Sequence, residues 1–135
     1  MSDWNTAIIE EFRAAGGKVG GPFAGSDLLL LTTTGARTGR ESVSPLGYLA
    51  DGDRLVVTAS NAGAPHNPAW YHNVLANPDV TVEVGTRRFH AKATVPTQPE
   101  RDRLFAQVVE AMPGYGDYQA NTTRTIPVVI LAPVR

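Results

Sequence analysis

Leu28-Leu29-Leu30-Leu31-Thr32-Thr33-Thr34, then Glu41–Ala50, the dipeptide Asp51-Gly52 and Arg54-Leu55-Val56-Val57-Thr58 form the stretch that decides the fold. An apolar run passes into β-branched threonines, which pack well on a pleated surface and lose rotamer freedom in a helix. Asp-Gly between two such runs is a hairpin signal, because the tight turn needs residues that accept positive φ. Strands follow one another here without an intervening helical pattern. That argues against the strand–helix alternation of a Rossmann sheet.

The rest of the chain continues the pattern. Val80–Val84 alternates valine with polar residues, Gly85 turns the chain, and Arg87–Val95 returns. Ile126–Leu131 is a final buried strand. Between the strands, Asn67 is expected to cap a short helix that has Pro68 in its first turn and stops at Asn77-Pro78. Thr97 and Glu100 have capping-box spacing, opening a helix that buries Leu104, Val108 and Met112. Pro113–Thr125, rich in glycine and tyrosine, is expected as a loop. At the N-terminus Asp3 caps a helix with Trp4, Ile8, Ile9 and Phe12 on one face, and Gly16-Gly17-Lys18-Val19-Gly20-Gly21-Pro22 ends it as a linker. The expected organisation is an amphipathic helix and Gly-rich linker over 1–27 and a mainly β domain over 28–135. Six strands and three short helices are expected in all, closed into a small barrel because closure removes exposed edges.

At 135 residues the chain is one domain long, and folding buries roughly two-thirds of the unfolded surface at this size. There is no cysteine, which excludes disulfides, thiolate zinc sites, iron–sulfur ligation and a cysteine nucleophile. Twelve Lys and Arg stand against thirteen Asp and Glu, and neither half of the chain is a basic arm. Nucleic acid is therefore not an expected partner. No apolar run approaches the roughly 20 residues of a membrane helix. The start, Met1-Ser2-Asp3-Trp4, is acidic where a signal peptide is basic. A soluble, cytoplasmic protein is expected, monomer or homodimer. The N-terminal helix either packs on the barrel or makes peripheral membrane contact, and Glu10 and Glu11 weaken its attraction to anionic lipid.

Most catalytic signatures are absent. There is no G-x-G-x-x-G and no G-x-S-x-G elbow, and Gly35-Ala36-Arg37-Thr38-Gly39-Arg40 lacks the G-K-[ST] of a Walker loop. His66, His72 and His90 lack metal-motif spacing, so no metal is expected. Three segments remain. Thr32–Arg40 combines glycines, hydroxyls and two arginines, suited to a phosphate and equally to a solvated turn. Ala59–Asn73 offers a small-residue stretch that a ligand can approach, a helix N-terminus, and Trp70 and Tyr71 as an aromatic wall or as core. Met112–Tyr118 puts two tyrosines in a glycine-rich segment that either lines a ligand or packs the C-terminal strand.

Together the motifs T-T-x-G-x-x-[ST]-G (Thr32–Gly39), Pro45-Leu46, Asp51–Leu55, S-x-x-G-A-x-x-x-P-x-W-Y-x-N (Ser60–Asn73), Asn77-Pro78, P-x-Y-x-x-Y (Pro113–Tyr118) and R-T-I-P-V (Arg124–Val128) resemble the deazaflavin-dependent nitroreductases. These are actinobacterial split β-barrel enzymes that use coenzyme F-420, an 8-hydroxy-5-deazaflavin. The resemblance covers the chain from about Leu28 onward. It implies that Arg37, with Thr38, Gly39 and Arg40, grips the coenzyme phosphate. It implies that Val43, Ser44, Pro45 and Leu46 with Thr58, Ala59, Ser60 and Asn61 line the ring, and that Ala69, Trp70, Tyr71 and Asn73 complete the groove. It implies that Met112, Tyr115 and Tyr118 form the substrate side. The expected reaction is hydride transfer to an activated C=C, quinone or nitro-aromatic acceptor, a small hydrophobic molecule. Ser60, Tyr118 or bulk water then serves the developing oxyanion.

The chain departs from the pattern at Asn61 and Ser42, where many relatives carry Lys and Arg, and at Met112, where nitroimidazole reducers carry tyrosine. Tail preference and nitroimidazole reduction are therefore not carried over. Rival readings are a flavin-mononucleotide reductase and a non-catalytic binder of the coenzyme or of a hydrophobic ligand.

Overall fold

The computed structural model describes residues 3–16, 28–60 and 66–134. The linker after Gly16, the segment 61–65 with Asn61, and the side chain of Trp4 lie outside the described residues. The elements in chain order are α1 (Asp3–Ala14), β1 (Leu28–Thr34), β2 (Glu41–Gly47), β3 (Leu49–Asp51), β4 (Arg54–Thr58), α2 (Ala69–Ala76), β5 (Asp79–Val84), β6 (Arg87–Thr94), α3 (Glu100–Ala111), α4 (Gly114–Ala120) and β7 (Val128–Pro133).

The strands form one antiparallel sheet in the order β2-β1-β5-β6-β7-β4-β3. Its two edge strands are consecutive in sequence. In a flat sheet of seven strands the edges would stand about 29 Å apart at a spacing of about 4.8 Å. Gly47 and Leu49 are two Cα steps apart, about 7.6 Å at most. The sheet must therefore curl until the chain passes from one edge to the other through Tyr48. This is the expected mainly β, barrel-like fold, with seven strands where six are expected because Glu41–Ala50 breaks at Tyr48.

The curl explains why the leucine run shows no alternation. Leu29 and Leu31 point inward, packing with Val57, Val82, Val129 and Leu131. Leu28 and Leu30 point outward beneath Ile8 and Phe12 of α1. Both faces of β1 are covered, so both must be apolar. Ile8, Ile9 and Phe12 of the expected α1 stripe thus pack on the barrel, and Arg13 donates from Nε (3.1 Å) and Nη2 (2.8 Å) to the Glu83 carboxylate on β5. On the opposite flank α3 buries Leu104, Phe105 and Val108 against Val56, Val128 and Ile130.

Three local expectations are corrected. Neither Asn67 nor Thr97 caps a helix with its side chain: α2 begins after Pro68 and α3 after Pro99, each without a side-chain cap. Thr97 instead accepts the Arg101 N–H at its carbonyl (3.0 Å), and Asn67 accepts from Arg124. The expected loop Pro113–Thr125 contains a two-turn helix, α4. Its glycines lower helix propensity, but packing overrides propensity here. A Cβ on Gly116 would come within 3.2 Å of Val109 Cγ1, so this glycine lets α4 lie close on α3.

Candidate functional site

The segment joining β1 to β2 is a compact loop. Gly35 donates its N–H to the Arg40 carbonyl (2.7 Å), and Gly39 donates to the Gly35 carbonyl (3.0 Å). Gly39 takes φ +71°, a conformation that glycine accepts without strain. A Cβ on Gly35 would meet Thr38 Oγ1 at 2.8 Å and the Arg40 carbonyl oxygen at 3.2 Å, so that position has no room for a side chain. Thr38 Oγ1 accepts the Arg40 N–H at 3.2 Å. Helix α2 fastens the loop from outside. Asn73 Oδ1 accepts the Ala36 N–H (3.0 Å), and Asn73 Nδ2 donates to Thr33 Oγ1 (3.1 Å).

Between this loop and α2 lies a cavity of about 710 Å³, within the size range of small-molecule sites. Arg37, Thr38, Arg40, Ala69 and Asn73, all expected at the coenzyme, line it together. His72 and Glu41 also line it and were not expected there. The α2 residues follow helical spacing, 69, 72 and 73, which puts them on one face. Asn73 enters the cavity wall chiefly as a fastener, since its side-chain amide is already used on Ala36 and Thr33.

A second group forms where β4 ends. Alternation along the strand sends Val57 and Ala59 into the inner core and Thr58 toward α4. Tyr115 is half-buried there with Met112, Val109 and Leu49 against the outer cluster. Burial pushes the Tyr115 phenol above its ordinary pKa, and the nearby Thr58 hydroxyl partly opposes that. Thr58 Oγ1, beside that phenol, is buried and has no hydrogen-bond partner of good geometry among the described residues. Tyr118 stands edge-on to Tyr115 at 5.7 Å between ring centroids and is 36% exposed.

Other expected residues fall elsewhere. Trp70 is 6% exposed and packs in the inner core. Tyr71 packs partly on the same core with its ring edge-on to His72. On β2, Leu46 packs inward and Val43 packs toward α1. The period of two therefore lets either Val43 and Pro45 or Ser44 and Leu46 face a single flat ring, not all four.

Three polar residues with no assigned role in the sequence reading tie the second group to the first. Arg124 donates to Asn67 Oδ1 (2.5 Å) and to the Ser60 carbonyl (2.6 Å). Gln119 of α4 donates to the Arg124 carbonyl (2.8 Å) and accepts the Ile126 N–H (3.0 Å). Arg101 of α3 donates to Gln119 Oε1 (2.9 Å) and twice to the Ile126 carbonyl (3.0 and 2.8 Å). The R-T-I-P run was visible as a motif, but nothing local to it points to Ser60.

Residues 4–133 match the family model of the F420H(2)-dependent quinone reductases. An F420H(2)-dependent quinone reductase of Mycobacterium tuberculosis is 43% identical over 124 residues, covering 89% of this chain and 83% of that protein. Among solved structures, an F420-H2 dependent reductase is 38% identical with a TM-score of 0.72, covering 78% of this chain and 93% of that one. A chain described as a domain-swapped dimer is 35% identical with a TM-score of 0.74, covering 96% and 97%. These matches favour a deazaflavin enzyme over the flavin-mononucleotide and non-catalytic alternatives. With a curled sheet, a glycine-built arginine loop and this likeness over nearly its whole length, the chain belongs to the F420H(2)-dependent quinone reductase family, oxidoreductases that work with coenzyme F-420.

Proposed function

We propose that the protein reduces a quinone or a similar flat, activated acceptor, holding the coenzyme tail at the Gly35–Arg40 loop and its ring toward Thr58–Ser60. The observation that carries this is the arginine loop fastened by Asn73 over a cavity of about 710 Å³. The described residues suit such a coenzyme at two points. Arg37 and Arg40 offer charge-assisted donors to phosphate and carboxylates. Thr58 Oγ1 is an orphaned hydroxyl, and a buried hydroxyl without a partner favours a ligand that supplies one.

When bound, reduced coenzyme F-420 supplies the hydride. The chain's own residues bind, orient and exclude water. Arg37 and Arg40 hold negative charge at one end. Tyr115 keeps its hydroxyl proton across the physiological range, because burial opposes phenolate formation. Its ring and that of Tyr118 form an apolar wall suited to a flat acceptor. Ser60 or Tyr118 is the donor to the oxyanion that develops on the acceptor.

The homodimer is the assembly to test, given the domain-swapped relative. Ile8 and Phe12 are buried on the barrel, so they offer a membrane no apolar face. Among the described residues no helix is long and apolar enough to cross a membrane. The deciding experiment titrates apoprotein with coenzyme F-420 and with flavin mononucleotide, then follows oxidation of the reduced coenzyme by a soluble quinone. Tighter coenzyme binding and quinone-dependent oxidation are expected. Equal affinities, or oxidation indifferent to the quinone, would overturn the proposal.

A further inference from the structure

We infer that Arg124 is a positioning residue that sets the ring end of the site by clamping both borders of the segment between β4 and α2. This rests on the site assignment proposed above. One guanidinium N–H group bonds the carbonyl of Ser60, the last described residue after β4, and another bonds the side chain of Asn67, just ahead of α2. A guanidinium is a planar, rigid fork, so two bonds from one fork fix the separation of their acceptors. Ser60 therefore cannot shift relative to Asn67, at the entry to α2, without breaking one of them.

The other end of Arg124 is held as firmly. Its carbonyl accepts from Gln119, which lies on the same helix as Tyr115 and Tyr118. Gln119 and Arg101 in turn hold both backbone groups of Ile126, two residues further on. A continuous run of hydrogen bonds thus joins the tyrosine helix to Ser60. Among the described residues, Arg124 is the point at which this run crosses from the C-terminal turn to the coenzyme side. Neither acceptor on that side is a carboxylate, so a mere positive charge would not reproduce the arrangement.

The test compares wild type, Arg124→Gln, Arg124→Lys, Asn67→Ala and Arg37→Ala. Two probes are titrated: coenzyme F-420 and the 8-hydroxy-5-deazaflavin that lacks the phosphate tail. Arg124→Gln should weaken both probes equally, by about tenfold, since charge-assisted bonds are lost. Turnover of a soluble quinone at saturation should fall about tenfold as well, through lost alignment. Arg124→Lys should recover part of each loss by reaching one acceptor, and Asn67→Ala should show a smaller loss of the same kind. Arg124→Gln with wild-type affinity and turnover but a lower melting temperature would overturn the inference, as would full recovery by lysine. If Arg124→Gln does not fold, Asn67→Ala decides: unchanged affinity and turnover overturn the inference, and a loss on both probes supports it. Arg37→Ala should weaken only the tailed coenzyme. If it weakens neither probe while Arg124→Gln weakens both, the tail assignment fails and the clamp stands.

Discussion

Arg37 and Tyr115 show how far a residue's surroundings set its role. Arg37 is exposed on the cavity rim, and if it holds the coenzyme phosphate as proposed, that charge-assisted bond is worth about 1.5–3 kcal/mol. Arg37→Ala should weaken coenzyme affinity by that amount in a fluorescence titration. Maximal turnover should be unchanged, since a contact remote from the reacting carbon binds ground and transition states alike. Tyr118 is the more exposed tyrosine, so Tyr118→Phe should lower quinone turnover by only about tenfold, below the roughly 10²–10³-fold of a preorganised donor. Unchanged kinetics with a lower melting temperature would make it a packing residue. Tyr115 carries a pH prediction. Its folded pKa is raised, so the stability it contributes is complete below the unfolded value of about 10 and is lost as pH rises through the folded value. Melting temperatures from pH 8 to 11.5 should fall at the alkaline end, and Tyr115→Phe should remove part of that slope.

At the scale of elements, two packed pairs separate stability from binding. Phe12 is 1% exposed where α1 meets β1, and removing such a ring costs about 3–5 kcal/mol. Phe12→Ala should lower the denaturant midpoint strongly and leave coenzyme affinity per folded molecule intact. Asn73 joins α2 to the arginine loop instead. Asn73→Ala leaves Ala36 N–H and Thr33 Oγ1 without this partner, a loss of about 1–3 kcal/mol, and it should also weaken coenzyme binding because the loop is no longer held. An affinity equal to wild type would show that Gly35 and Gly39 shape the loop without help from α2.

At the scale of the molecule, coenzyme binding and folding are linked. At one hundred times its dissociation constant the coenzyme should stabilise the fold by about 2.7 kcal/mol, while flavin mononucleotide at the same concentration should add far less. Calorimetric scans with each ligand check this. The shift with coenzyme should shrink as salt rises, because the Arg37 and Arg40 rim is exposed and screened.

Sequence alone determined most of the strands, the glycine-built turn around Arg37 and the family, because each is a local pattern. Asp51-Gly52, the alternation in Val80–Val84 and the glycines around Arg37 express backbone preferences that act over a few residues. It did not determine which residues of those strands face the coenzyme. Val43 and Leu46, three residues apart, and the adjacent Thr58 and Ala59 each face opposite sides of the sheet, and only its curl decides which side is interior. Nor was α4 legible, since glycine propensity argued against it and close packing on Val109 overrode that preference. The Arg124 clamp depended on tertiary structure most of all. Its partners are 64 and 57 residues away in the chain, and only folding brings their carbonyl and amide oxygens to one guanidinium.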